Sequence, residues 1–141
     1  MTSVQLPNDV LLSGAEVFLK EGRDVVLKTK GNSMLPFIRG DKDSVRLRKL
    51  DCLEVGDIVL ARLPGRYVMH RIISCEGDDF VMMGDGNLAG TERFNRDDVI
   101  GKVVAIIKAD GKEVTPGKGR LWKMLRPLRR NLLAIYRRLC N

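Results

Sequence analysis

The sequence has few of the residues on which metal and disulfide sites depend. Among its 141 residues there is a single histidine, His70, and the three cysteines are far apart and form no C-x-x-C pair. An odd number of separated cysteines, without a nearby pair of histidines, argues against a disulfide framework and against a zinc site. We therefore expect no metal and no cofactor, and we expect a reducing compartment.

Long apolar runs are also missing. No segment approaches the roughly 20 consecutive apolar residues that are needed to span a bilayer. The N-terminus, residues 1–9, is polar and lacks the basic segment followed by an apolar stretch that is typical of secretory signals. These features predict a protein that stays in the cytoplasm.

Acidic residues are absent from the last part of the sequence. The protein has a formal net charge of +7, and beyond Glu113 there are eight lysines and arginines but no aspartate or glutamate. The other 17 basic and 18 acidic residues leave residues 1–113 close to neutral. Because the basic charge lies in the tail, we do not expect the body to bind nucleic acid.

The basic tail, residues 117–141, has a helical pattern. Leucine and isoleucine recur at three- and four-residue spacing, and basic side chains occupy much of the remaining surface. Pro127 interrupts the pattern and predicts a kink or two short helices. Three interpretations stay open. The tail docks on the body as a terminal helix, lies as an interfacial helix on the anionic inner face of the cytoplasmic membrane, or contacts DNA or RNA.

The rest of the chain is predicted to be mainly β, after one N-terminal helix that Asn8 or Asp9 caps and Gly22 ends. Short strand-like segments separated by Gly, Asp or Pro favour an antiparallel β sandwich or a partly open barrel over a βαβ fold. We expect one domain over residues 1–116, with its core in residues 24–108. The predicted strands are 24–29, 44–49, 57–62, 66–75, 79–83, 99–108 and 113–115.

Three residues near the ends or faces of predicted strands are suited to nucleophilic catalysis. Ser33 lies in the turn G-N-S-M-L-P, where its hydroxyl can stand exposed. His70 shares a strand face with Val68 and Ile72, and Asp85 lies in the turn G-D-G-N. An imidazole can take the proton of a serine hydroxyl, and a carboxylate can orient the imidazole. Taken singly, such a serine is equally typical of a plain turn, and such a histidine is more often a half-buried hydrogen-bonded residue.

Several motifs taken together resemble the S24/S26 serine peptidase superfamily, which contains the signal peptidases and LexA. Members of this superfamily are mostly β. Histidine at position 70, where bacterial members have lysine, makes the sequence most similar to the histidine type of signal peptidase found in the endoplasmic reticulum and in archaea. The motifs are G-N-S-M-L-P at 31–36, G-D-I-V at 56–59, M-H-R-I at 69–72, G-D-G-N at 84–87 and I-G-K-V at 100–103.

The resemblance implies a serine endopeptidase. Ser33 would be the nucleophile, His70 the general base, and Asp85 the residue that orients the histidine. The backbone N–H of Ser33 would contribute to an oxyanion hole. Asp97 or Asp98 is the candidate for a second acidic residue that follows the G-D-x-N motif in the histidine type.

The sequence also departs from the proteins that it resembles. Signal peptidases have an N-terminal transmembrane segment, and LexA has an upstream DNA-binding domain and an alanine-glycine self-cleavage site; we find none of these. We therefore expect a small peptidase that matures a dedicated peptide or small protein, held at the membrane by residues 117–141. The alternative is a non-catalytic module that binds an extended peptide by strand addition, with a tail that associates with membrane or nucleic acid.

Overall fold

A computed structural model of the protein describes residues 8–31, 33–86, 90–119 and 131–135. Within these ranges one helix precedes eight strands, a 3₁₀ turn joins β6 to β7, and residues 131–135 are helical. The elements are α1 Asn8–Lys20, β1 Val25–Lys28, β2 Ser44–Arg48, β3 Ile58–Leu63, β4 Arg66–Glu76, β5 Asp79–Met83, β6 Glu92–Asn95, the 3₁₀ turn Arg96–Asp98, β7 Val99–Ile107 and β8 Glu113–Val114.

The described strands form one antiparallel sheet. Its order is β1-β2-β7-β3-β4-β5-β6, and β8 pairs with β7. The sheet is open, with β1 and β6 at its edges, and α1 contacts β7, β4 and β1. The predicted mainly β, antiparallel fold with an N-terminal helix is therefore confirmed.

The central strands β3 and β4 are buried on both faces of the sheet. Alternation along a strand sends Leu60 and Met69 to one face and Val59 and Val68 to the other. The first face is covered by α1 and by the segment that follows Ser33. On the second face, the core cluster includes the stacked rings of two phenylalanines that pair across β5 and β6. These rings belong to Phe80 and Phe94, whose centres are 5.4 Å apart.

Strand β6 is the one described strand that the sequence pattern does not predict. Its four residues, E-R-F-N, include one buried apolar side chain, Phe94, among three polar ones. So short a segment gives no detectable alternation of apolar and polar residues. Pairing with β5, in which Phe80 faces Phe94, fixes it as a strand.

Much of the predicted tail helix falls on residues 120–130 and 136–141, outside the described residues. The helical residues 131–135 contact the body through Leu133, which is buried. Among the helices that are described, none has the length and apolar character required to cross a membrane.

Candidate active site

Ser33 begins the serine loop, residues 33–43, which leads from β1 into β2. The side chain of Ser33 is partly exposed, whereas those of Met34 and Leu35 are buried. Met34 packs in the same core cluster as Met69 of β4, and Ser33 and Met69 line one small cavity. The serine therefore lies at the surface end of a segment that the core holds in place.

Asp43 fastens the far end of the serine loop. Its buried carboxylate accepts hydrogen bonds from the backbone N–H of Arg39 at 2.8 Å and from Nζ of Lys108 at 3.3 Å. Burial alone would raise the pKa of Asp43, but the hydrogen bonds from Arg39 and the charge of Lys108 hold that pKa below its ordinary value. Lys108 also donates to the carbonyl of Phe37 at 2.8 Å, so the loop is tied to the residue that directly follows β7.

Gly31, just before the serine loop, and Gly40, within it, lie against each other. A side chain at position 40 would overlap the backbone of Gly31, and Gly31 itself has a φ of 83°, which favours glycine. Glycine at both positions lets the chain turn sharply beside Ser33.

His70 lies on β4 opposite Val59 of β3 and is buried. The strand face that it was predicted to share with Val68 and Ile72 packs in the second core cluster. Nδ1 of His70 lies 2.6 Å from Oε1 of Glu92. Because a carboxylate accepts hydrogen bonds, Nδ1 is the ring atom that carries the proton, and Nε2 of the neutral ring is left as an acceptor.

Glu92 reaches His70 because both side chains face the same side of the sheet. On β6, Glu92 shares a face with Phe94, which packs in the cluster that also contains Ile72. Its second oxygen lies 3.8 Å from a guanidinium nitrogen of Arg66. The motif resemblance gives the orienting role to Asp85; in the structure the carboxylate beside His70 is that of Glu92. In the sequence, Glu92 is marked only as an acidic residue two positions before Phe94, in a strand that the pattern does not predict.

Asp85 is bound by Arg71. Nε and Nη2 of Arg71 donate to the two carboxylate oxygens of Asp85, each at 2.8 Å. Both side chains are buried, with 7% of Arg71 and 3% of Asp85 exposed. Arg71 follows His70 on β4 and therefore points to the opposite face, which is why the turn carrying Asp85 meets the arginine instead of the histidine.

Arg71 joins four parts of the chain. Besides Asp85, its Nη1 donates to the carbonyls of Gly56 and Gly117, both at 2.7 Å. Its guanidinium lies 5.2 Å from the centre of the Phe37 ring, in the serine loop. The sequence pattern assigns Arg71 no role, since nothing local shows which segments converge on it.

The G-D-G-N turn is also bonded to the serine loop. The backbone N–H of Gly86 donates to the carbonyl of Ser33 at 2.8 Å. Among the described residues, the hydroxyl and the N–H of Ser33 have no hydrogen-bond partner, and no hydrogen bond joins that hydroxyl to the ring of His70. The structure thus brings Ser33 to the turn of Asp85, and it brings His70 to Glu92.

Asp97 and Asp98 lie in the 3₁₀ turn, which Asn95 caps. The carboxylate of Asp98 accepts from the N–H of Asn95 at 2.8 Å, and the side chain of Asn95 accepts from the N–H of Asp97 at 3.1 Å. This reciprocal capping accounts for the carboxylate of Asp98, whereas the side chain of Asp97 is exposed. The acidic residue that contacts His70 is Glu92. In the described ranges, no cluster of histidine, cysteine or acidic residues suited to hold a metal ion is found.

Comparison with known proteins gives the family of the chain. A family model described as Peptidase S24-like matches residues 2–104. The chain belongs to the Peptidase S24-like family. A LexA repressor from Thermotoga neapolitana is 30% identical over 108 residues, which make up 74% of this chain and 50% of the repressor. This S24-like chain thus spans about half the length of that relative.

The S24-like match includes the residues of the site described above except two. Ser33, His70, Asp85 and Glu92 lie within residues 2–104, whereas Lys108, which binds Asp43, and Gly117, which binds Arg71, lie outside them. The C-terminal contacts are therefore additional to the matched region of this chain.

Proposed function

We propose that this protein is a serine endopeptidase in which Ser33 is the nucleophile and His70 is the general base. The proposal is carried by the 2.6 Å contact between Nδ1 of His70 and Oε1 of Glu92. That contact selects the tautomer whose Nε2 can accept a proton. Nε2 has no hydrogen-bond partner in the described part of the chain, so it is available for this role.

The reaction then follows the general scheme of acyl transfer. Nε2 of His70 takes the proton of Ser33 Oγ as Oγ bonds to the carbonyl carbon of the scissile peptide. The C–N bond breaks, and the imidazolium returns the proton to the leaving amine. Water, deprotonated by His70, next attacks the acyl ester; the C–Oγ bond breaks, the imidazolium returns this proton to Ser33 Oγ, and the new carboxyl group is released. The carboxylate of Glu92 stabilises the imidazolium in both steps.

The N–H of Ser33 is the proposed donor to the oxyanion. In the residues described here this N–H has no other acceptor, whereas the carbonyl of Ser33 is held by Gly86. A donor that is free in the resting protein can be directed at charge that develops only in the transition state.

The proposed dyad needs Ser33 Oγ and His70 Nε2 to come within about 3 Å of each other. Catalytic hydrogen bonds are often long without substrate and tighten in the substrate complex. We assign the approach of the two groups to binding of an extended segment of a peptide or small protein, the expected class of substrate.

The described residues show no hydrogen bond between Ser33 and His70, and this favours a second candidate function. In this alternative the protein binds an extended peptide without cleaving it, by adding the peptide as a strand to edge strand β1 or β6. The two candidates differ in whether Ser33 is an activated nucleophile.

Covalent labelling separates the two candidates. We expect a fluorophosphonate probe to add to Ser33 of the full-length protein, as measured by intact-mass spectrometry and peptide mapping, because only an activated hydroxyl displaces fluoride. Ser33→Ala and His70→Ala should abolish the labelling, and Ser74→Ala, at an exposed serine of β4, should not. Labelling that persists in His70→Ala would refute the dyad, and an unlabelled wild-type protein would favour the peptide-binding module.

We also propose that the basic tail attaches the protein to an anionic membrane surface by charge. Beyond Glu113 the sequence has eight basic and no acidic residues. Since Leu133 is buried against the body, apolar insertion of that side chain does not contribute to the attachment. Basic residues near an anionic leaflet each contribute about 1 kcal/mol, and salt weakens the attraction.

This attachment can be tested by sedimentation with lipid vesicles. Changing Arg129, Arg130, Arg137 and Arg138 to glutamine should weaken binding to phosphatidylglycerol-containing vesicles by about tenfold or more. High salt should release the wild-type protein, and pure phosphatidylcholine vesicles should not bind it. Binding that survives both the substitutions and high salt would rule out attachment by charge.

A further inference from the structure

Two described parts of the C-terminal region contact the candidate site. We call residues 115–119 and 131–135 together the C-terminal arm. Leu133 of the arm is 2% exposed and packs against Leu35, two residues after Ser33, in a cluster that Phe37 and Leu132 flank. The middle of the serine loop is thus covered by a side chain that comes from about 100 positions further along the chain.

The first half of the arm is anchored by charge beside Arg71. Nζ of Lys118 forms ion pairs with Asp57 and, at 2.7 Å, with Glu54. Burial alone would raise the pKa of Asp57, but the hydrogen bond from Lys118 and the nearby Lys102 hold that pKa below its ordinary value. Burial would likewise lower the pKa of Lys118, but the hydrogen bond to Asp57 raises it. Both groups therefore stay charged, and paired, across the neutral range.

The fit of this half of the arm is close. The backbone of Gly119 has a φ of 70°, and a Cβ there would lie 2.9 Å from Cζ of Arg71. A Cβ on Gly56 would lie 2.8 Å from the side chain of Lys118. Larger residues at positions 56 and 119 would push the arm away from the body. Together with the bond from Arg71 to the carbonyl of Gly117, this seats the arm on the Arg71–Asp85 pair.

We infer that the C-terminal arm is a positioning element of the proposed active site, in which Leu133 holds the serine loop through Leu35. The loop is fastened at its far end by Asp43 and at Ser33 by Gly86. Between these points Leu35 and Phe37 contact the arm, so that removal of Leu133 would expose both apolar side chains and loosen the segment. The catalytic consequence rests on the proposed function, but the holding of the loop does not.

Hydrogen–deuterium exchange of the full-length protein tests the inference without any activity. The amides of Phe37 and Ile38 donate to the carbonyl of Met34 at 3.1 and 3.0 Å, so they report on the fold of the loop. In Leu133→Ala we expect these amides to exchange about tenfold faster or more, because the loop opens locally. Ile135→Ala is the matched control, since Ile135 lies on the same helical turn but is 55% exposed. It should leave the exchange unchanged.

Reference amides outside the serine loop and a conservative variant of Leu133 serve as further controls. Strand β6 is the edge strand two places from β4, so its amides should keep their wild-type exchange in Leu133→Ala, and Leu133→Met should restore slow exchange of the loop. The inference is overturned if the loop exchanges in Leu133→Ala as in the wild type, or if the loop and β6 accelerate by the same factor. A loosened loop in a protein whose Ser33 is never labelled would instead leave this inference intact and refute the proposed function alone.

Discussion

Replacing His70 by alanine should lower kcat for peptide cleavage by about 10⁶-fold, the loss typical of removing the base of a serine peptidase. Replacing Glu92 by glutamine should lower kcat by about 10⁴-fold. The glutamine amide can present its N–H₂ group to Nδ1, which favours the wrong tautomer, and it has no charge with which to stabilise the imidazolium. Both rates are to be measured on a peptide that the wild-type protein cleaves, selected from a proteome-derived peptide library by mass spectrometry.

Asp98→Asn supplies the matched control for Glu92→Gln. It makes the same change from acid to amide six positions further along the chain, at a carboxylate that takes part in capping a 3₁₀ turn. We expect Asp98→Asn to keep the wild-type kcat. If Glu92→Gln keeps full activity, or if Asp98→Asn loses as much, then Glu92 does not act on His70 in the reaction.

Replacing Asp85 by alanine should lower the free energy of unfolding by about 3 to 5 kcal/mol, the usual cost of removing one partner from a buried ion pair. Among the described residues, the buried guanidinium of Arg71 would keep the carbonyls of Gly56 and Gly117 as hydrogen-bond acceptors and the ring of Phe37 as a neighbour. These carbonyls satisfy one of its nitrogens but do not neutralise its charge. Urea denaturation followed by circular dichroism measures the difference.

An exposed ion pair of the same geometry provides the comparison. Arg48 donates from Nε and Nη2 to the two oxygens of Asp24, each at 2.9 Å, but half of the Arg48 side chain is exposed. Solvent screens such a pair, so Asp24→Ala should leave the free energy of unfolding nearly unchanged. Equal losses in Asp85→Ala and Asp24→Ala would show that burial of the Arg71–Asp85 pair adds nothing to stability.

Most elements of the fold could be predicted because their signals are local. The helix that begins at Asn8 has apolar residues at helical spacing and stops just before Gly22, and the strands that were predicted lie between turn residues. Strand β6 has no such signal, because its single buried residue, Phe94, is specified by Phe80 on the neighbouring strand. Pairing across a sheet is a tertiary property that a four-residue pattern does not contain.

The candidate site could be predicted only in part, because motifs are local whereas contacts between side chains are a tertiary property. Motifs mark Ser33, His70 and Asp85 as unusual positions, but they do not state which side chains meet. Alternation along β4 sends His70 and Arg71 to opposite faces, and the tertiary structure decides that Glu92 meets the first and Asp85 the second. An apolar stripe in the tail likewise fits docking and membrane binding equally well. The buried contact of Leu133 with Leu35 resolves this for that residue alone.

The hydrogen bonds of Arg71 also bear on the order in which the site is built. This side chain binds Gly56, which a ribosome makes before the arginine, Asp85, which follows the arginine by 14 residues, and Gly117, which follows it by 46. Leu133 is made later still. The contacts that support the serine loop therefore depend on segments made well after the loop itself. A nascent chain that has not yet reached Leu133 would lack the contact that covers Leu35.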